Sequence, residues 1–251
     1  GGTAGRTTLA GEGLQHQDGS SHLVAATIPN CRAFDPCFGY ELAAIVEDGA
    51  RRMLEAQEDV FYYLTVANEN YPHPAIPGAA REGILKGMYL FKSNETAKVQ
   101  LLGSGPILRE VLAAAELLEK DWSIGANVWS VTSFTELRRD GMQAERARRL
   151  GGSGTSWVEQ CLEKTQGPVI AASDYVSAVA DLIRPYISKP YVALGTDGFG
   201  RSDTRAALRA FFEVDARHIA VAALGAIDAA LVPGALRRYG IDSVTRPPWQ
   251  R

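Results

Sequence analysis

Cysteine is scarce: Cys31, Cys37 and Cys161 are the three in 251 residues. Odd in number and scattered, they make neither a disulfide framework nor a metal-ligand spacing. A zinc pair from Cys31 and Cys37 would need two more ligands, and the nearest histidine, His22, stands alone. Reduced thiols are therefore expected. No apolar run approaches the ~20 residues needed to cross a bilayer. The opening Gly1-Gly2-Thr3-Ala4-Gly5-Arg6-Thr7-Thr8 lacks both the apolar stretch of a signal peptide and an initiating Met. The expectation is a cytoplasmic protein, or a piece of one cut upstream of Gly1. An excess of one charge is missing too. With a net charge of −3 and both signs interspersed, nothing calls for a nucleic-acid or membrane partner. Internal repeats and low-complexity tracts are also absent.

What is present is ordinary for a globular chain, with 46% apolar and 22% charged residues. At roughly 150 residues per domain, the length favours two domains. Residues 1–20, rich in Gly and Thr, read as a structured loop. Leu23–Ile28 reads as a short buried strand stopped by Pro29. Apolar residues at helical spacing, with several alanines, predict a helix over 40–57. The aromatic and β-branched run Val60–Val66 predicts a parallel strand covered on both faces. Three prolines within Tyr71–Gly78 exclude a helix or central strand and mark a semi-rigid linker.

Beyond the linker, strands are expected at 88–91, 99–102, 128–131, 169–172 and 191–194. Helices are expected at 107–119, 157–164, 175–187 with Asp174 as N-cap, 204–211 and 216–231. This alternation predicts an α/β fold whose second unit holds a mainly parallel sheet of about five strands, the two units meeting near residues 72–80.

Fold class does not give function, so the sites must. Gly11-Glu12-Gly13-Leu14-Gln15-His16-Gln17-Asp18-Gly19 gathers two carboxylates, amides and an imidazole in a Gly-flanked loop. Histidine titrates nearest neutrality and suits proton transfer; a surface turn accounts for the same residues. Gly195-Thr196-Asp197-Gly198-Phe199-Gly200-Arg201-Ser202-Asp203 lies between a strand and a helix. It reads either as a backbone anion nest or as a structural turn with Ser202 or Asp203 capping the next helix. Its glycines do not fit the dinucleotide fingerprint. Asn68-Glu69-Asn70-Tyr71 follows a predicted strand, where open α/β sheets place ligands, or is simply a polar exit into the linker. His22, His73 and His218 lack convergent partners and read as structural. The run Arg138–Arg149, with Asp140 and Glu145 among its bases, reads as a solvated loop and helix or as a docking surface.

These motifs, together with Gly5-Arg6-Thr7-Thr8-Leu9, Ile28-Pro29-Asn30, Gly87-Met88-Tyr89 and Val131-Thr132-Ser133-Phe134-Thr135-Glu136-Leu137, occur in one order. As a set they closely resemble the homodimeric bacterial type of pyruvate dehydrogenase, the first component of its multienzyme complex. The resemblance runs over essentially the whole chain, although chains of that family are several times longer. It implies the tail of a transketolase-type pyrimidine-binding middle domain over residues 1–76. A transketolase-type C-terminal domain would follow over 77–251.

It also implies thiamine diphosphate held between two subunits through Mg²⁺, on sites mainly upstream of this segment. Of the residues present, His16 matches the family position that faces the substrate. Glu12 matches one near the cofactor and would tune His16 or a neighbouring group. Gln17 departs from the family pattern, which has an acid there, and this puts local charge tuning in doubt. The implied partners are the remainder of the polypeptide, a second subunit, pyruvate and the dihydrolipoamide acetyltransferase core. Two other readings stand beside this one: a non-catalytic dimerisation or assembly module, and a dehydrogenase for another 2-oxoacid.

Overall fold

Seven strands and the helices between them form two sheets in the computed structural model, which describes residues 5–251. Residues 1–4 of the loop expected over 1–20 lie outside the described residues. The rest of that loop contains a 3-10 helix, Thr7–Glu12.

Strands β1 (Cys31–Phe34) and β2 (Phe61–Leu64) pair in parallel, in register from Cys31 and Phe61 to Phe34 and Leu64. Five more strands follow: β3 (Met88–Lys92), β4 (Ala97–Gly103), β5 (Gly125–Val131), β6 (Val169–Ala172) and β7 (Tyr191–Leu194). They form one sheet in the order β3-β5-β4-β6-β7. Only β3 runs antiparallel to its neighbour.

Along β4, β5 and β6 successive side chains alternate between two cores, as the strand period of two requires. Val99, Leu101, Val128, Ile170 and Ala172 enter one core. There they meet α4 (Leu108–Trp122) and α9 (Ala216–Ile227). Leu102, Trp129, Val131, Val169 and Ala171 enter the other. Their partners include α5 (Phe134–Arg149), α6 (Trp157–Leu162) and α7 (Ser177–Ala180).

Several expectations need correction. Leu23–Ile28 is not a strand, because Ser21–Ala26 forms helix α1. A six-residue apolar run cannot separate the two by periodicity. The burial pattern does: His22 and Ala25, three apart, are buried, while Val24 is 61% exposed. Asp174 does not cap a long helix over 175–187. Val176 is extended, the chain forms only the four-residue α7, and a 3-10 segment, Asp181–Tyr186, then carries Pro185. Neither Ser202 nor Asp203 caps α8 (Arg205–Phe211), since Thr204 accepts from Ala207 N. The helix expected over 216–231 breaks at extended Asp228, whose side chain accepts from Ala230 N; a further helix, α10 (Val232–Tyr239), follows.

Within the N-terminal region, α2 (Gly39–Ala50) continues into a π-helical turn, Arg51–Glu55. The expected burial of β2 on both faces does not hold, since Phe61 is exposed and Tyr62, Tyr63 and Leu64 are half-buried. No regular element occupies residues 65–78, and α3 (Ala80–Lys86) leads into β3.

Backbone hydrogen bonds then bring the carboxyl end of β1 against the carboxyl ends of β4 and β5. Asp35 N donates to Thr132 O at 2.7 Å, and Gly105 N donates to Asp35 O at 3.0 Å. Glu41 adds a buried tie, accepting from Tyr89 Oη at 2.7 Å and Ser130 Oγ at 2.6 Å.

Candidate functional site

Four strands end at one place. Asp35 follows β1, Thr65 follows β2, Ser104 follows β4, and Ser173-Asp174 follow β6. Carboxyl ends of parallel strands are where open α/β sheets present functional groups.

The deepest part of this convergence is polar and closed. Thr65 Oγ1 donates to Asp35 Oδ1 at 2.7 Å, and His22 Nε2 lies 3.1 Å from the same hydroxyl. Asp35 Oδ2 has no hydrogen-bond partner. Burial pushes the Asp35 carboxyl up to about 7, with the Thr65 and Ser104 hydroxyls opposing part of the rise. Burial likewise pushes the His22 imidazole down to about 4, so the ring is neutral at physiological pH. Tyr175 packs edge-on against His22, with ring centroids 4.7 Å apart.

Two loops lie over this base, and both were marked by the sequence. Residues 5–19 and 195–203 are bonded to one another. Gln17 Nε2 donates to Arg201 O at 2.8 Å, and Arg201 N donates to Gln17 Oε1 at 3.0 Å. Ser202 Oγ donates to Gly11 O at 3.3 Å. Arg6 Nη1 donates to Thr196 O at 2.9 Å and also to Gly198 O. Backbone N–H groups of the 195–203 segment that an anion nest would use are engaged by protein acceptors: Thr196 N by Tyr175 O, Arg201 N by Gln17 Oε1 and Asp203 N by Ala10 O.

Gly5 and Gly13 take φ of +84° and +74°, which L side chains adopt only under strain. A Cβ on Gly13 would lie 2.5 Å from Ser202 Oγ, which would have to turn away, so the positive φ is what calls for glycine there. Ala10 sits at φ 39° and ψ −109° without that excuse. Such backbone costs about 1–3 kcal/mol and persists only where surrounding contacts impose it.

The turn Thr7–Glu12 and the bend after it bring Glu12 and His16 together. His16 Nε2 is 3.8 Å from Glu12 Oε2, and the side chains are 55% and 54% exposed. At that distance the two side chains are neighbours without a direct hydrogen bond. Both therefore stand on the open side of a loop whose other side is tied down.

Other marked residues are engaged structurally. Glu69 accepts from Arg109 at 2.7 Å and from Arg209 at 2.5 Å, so Asn68-Glu69-Asn70-Tyr71 anchors its loop through buried charge. The three histidines read as lacking partners do have them. Besides the His22 contact, His73 Nδ1 accepts from Gly39 N at 2.7 Å, and His218 Nδ1 lies 2.6 Å from Asp215 Oδ1. Arg139 donates to Ile28 O, Pro29 O and Cys31 O, which makes it a clamp on the entry to β1. Reading by motif missed Asp35 and passed over Asp174 as a helix cap. The signal available was an acid directly after an apolar strand, as in Ala33-Phe34-Asp35 and Ala171-Ala172-Ser173-Asp174.

A mostly parallel sheet covered on both faces, with loops gathered at the strand carboxyl ends, defines an open α/β protein. The chain belongs to the family described as the transketolase-like TK C-terminal domain, whose model matches residues 87–215. Residues 1–74 match the model of the pyruvate dehydrogenase E1 component middle domain. The chain is 56% identical to the pyruvate dehydrogenase E1 component of Pseudomonas aeruginosa, over 99% of this chain and 30% of that protein. It is 50% identical to that of Escherichia coli K12, over 97% of this chain and 29% of that protein. It thus spans about 30% of the length of such relatives. Among solved structures, transketolase from Campylobacter jejuni superposes with a TM-score of 0.64 at 20% identity, covering 89% of this chain and 30% of that one. This last likeness speaks to the fold. No helix among the described residues is long and apolar enough to cross a membrane.

Proposed function

We propose that this chain is the part of a pyruvate dehydrogenase E1 component that brings the His16 loop to the active site of a cytoplasmic, homodimeric enzyme. In this reading the whole enzyme decarboxylates pyruvate on thiamine diphosphate and passes the acetyl group to a lipoyl group of the acetyltransferase core. The observation that carries it is the match to pyruvate dehydrogenase E1 components along 99% of the chain. The same reading divides the chain near residue 77, with the two-stranded unit as the tail of the pyrimidine-binding domain and the five-stranded unit as the C-terminal domain.

The cofactor supplies carbanion stabilisation when bound, and the protein supplies orientation and proton handling. In this reading the diphosphate–Mg²⁺ site lies mainly on upstream domains. Among the described residues no three His, Cys, Asp or Glu side chains gather as a metal site. Glu41 is taken up by protein donors, among them Cys37 N and Tyr89 Oη, and Asp174 by Thr7 and Arg6. In this reading those ligands come from elsewhere in the polypeptide.

His16 is left to act as donor of a hydrogen bond or proton toward the substrate. Its ring stands on a braced loop, and another segment or subunit would close over it and exclude water. In this reading Glu12, 3.8 Å away, tunes His16 or a neighbouring group. In the full-length enzyme, His16→Ala should lower turnover with pyruvate by roughly 10²–10⁴-fold. Thermal stability should barely change, because the side chain is half exposed. Steady-state kinetics on the purified variant decide it: turnover kept within about twofold removes His16 from the mechanism.

A further inference from the structure

We propose that Asp174 is the positioning residue of this site, clamping the loop that carries Glu12 and His16 to the loop 195–203 from a single point at the end of β6. The proposal rests on the reading of His16 given above. Asp174 is 1% exposed. Its Oδ1 accepts from Thr7 N at 3.0 Å and Thr7 Oγ1 at 2.6 Å, and its Oδ2 accepts from Arg6 N at 3.0 Å. Its backbone carbonyl accepts from Thr196 Oγ1 at 2.9 Å, and the next carbonyl, Tyr175 O, accepts from Thr196 N at 2.8 Å. The side chain holds one loop and the backbone holds the other.

The chemistry makes this clamp stronger than the surface ties between the loops. A carboxylate taking several N–H and O–H donors away from water forms charge-assisted hydrogen bonds, about twice as strong as neutral ones. The cross-loop bonds of Gln17 and Ser202 are exposed and neutral. No cation bonds directly to Asp174. Arg209 reaches Thr7 Oγ1 at 3.3 Å but spends its guanidinium on Glu69 and Glu110. The Asp174 charge is thus directed at the loop and not into an ion pair. The fit is also tight on the loop side, since a Cβ on Gly5 would lie 2.4 Å from Asp174 Oδ2. Asp174 is the buried anchor among the ties that hold strained Ala10 in place, beside the Arg6 bonds to Thr196 O and Gly198 O and the Arg205 bond to Thr8 O.

Asp174→Asn is a discriminating change. Both carboxylate oxygens accept from the loop, so either orientation of the amide sets an NH₂ against a donor. In the full-length enzyme, amide exchange over residues 5–19 and 195–203 should speed up at least about tenfold, with residues 97–103 unaltered. The turnover number should fall on the order of 10²-fold, as for a misplaced catalytic group, with KM for pyruvate changing less. Asp174→Asn combined with His16→Ala should be no slower than His16→Ala alone, within about twofold. Thr7→Val, which removes one donor and leaves the charge, should give the same pattern more weakly and serves if Asp174→Asn does not fold. Unchanged exchange in the two loops, or losses that multiply in the double variant, would overturn the proposal. If His16→Ala is fully active, the functional reading falls, while loop exchange still decides whether Asp174 is the clamp.

Discussion

The five-stranded sheet buries every residue of β6 and the last five of β4, whereas β2 of the two-stranded sheet leaves Phe61 exposed and its neighbours half-buried. The first region is held by apolar packing on two faces. The second adds polar attachment to the first beside a smaller apolar cluster of Phe34, Ile45, Ile84 and Tyr89. Ser133 and Thr135 hydroxyls donate to Ala33 O, Arg32 pairs with Glu136 at 2.8 Å, and Glu41 reaches Ser130. The contrast bears on function, because the candidate loop is fastened to the end of the five-stranded sheet by polar contacts. Its geometry is therefore set by hydrogen bonds and buried charge, which depend on orientation and on protonation in a way that packing does not.

The largest expected effect follows from the packed side. Leu101 is fully buried in the centre of β4. Leu101→Ala should destabilise residues 1–251 by about 2–5 kcal/mol, the transfer loss plus the cavity it leaves. Denaturant titration gives the value, and a loss below about 1 kcal/mol would mean that this core is not close-packed.

A comparable effect, with the opposite sign and a pH signature, is expected at the junction. The Asp35 carboxyl titrates at about 7 in the folded protein, against an ordinary value of 3.8. Because its folded value is raised, folding binds a proton. Below about pH 4 both states are protonated and the group is not penalised. Between about pH 4 and 7 the unfolded chain loses its proton first, and stability drains away as pH rises; above 7 the cost is constant. The ceiling is on the order of 4 kcal/mol at 1.36 kcal/mol per pH unit. Asp35→Asn keeps an acceptor for Thr65 and removes the titration, so its advantage over the parent should grow between pH 4.5 and 7.5. Parallel stability curves for parent and variant would refute the assignment. His22 works in the other sense. With its value lowered to about 4, it contributes stability that is complete above about 6.5 and is lost as pH falls toward 4.

How much of this was legible in the sequence follows the same divide. The strand at Val169–Ala172 was readable because a continuous apolar run is what two-sided burial demands. Val99–Leu102, with Gln100 inside it, and half-buried Tyr191–Leu194 were readable from short apolar runs rich in strand-forming residues. The mainly parallel sheet followed from their spacing with helices. Leu23–Ile28 was misread because its burial is one-sided and the run is too short to show a period. The Glu12–His16 loop could be singled out by its glycines, carboxylates and imidazole, but those residues alone fit a surface turn as well. Asp35 and Asp174 were not legible as parts of that site. Their partners lie on other strand ends and on a loop 167 residues away, and no local pattern encodes that distance. The carboxylates sit where sheet topology places them, and topology is set by the whole chain.

The smallest effect on stability is expected at the open edge, where the comparison is sharpest. Among the described residues β2 pairs only with β1, and its free side carries Phe61, 44% exposed. Val46, Leu54 and Val66 are exposed in the same two-stranded region. Unpaired backbone groups beside exposed apolar side chains form a template for another strand, and a lysine on such an edge blocks that addition. Phe61→Lys should therefore change the folding stability of residues 1–251 by no more than about 0.5 kcal/mol, because little apolar area is lost. Self-association should nevertheless fall clearly, since one charge repeats on every copy that approaches. Sedimentation velocity at increasing concentration measures this directly. An unchanged association pattern would place the sticky surface elsewhere, with exposed Phe199 and Trp249 beside the 195–203 loop as the next positions to change.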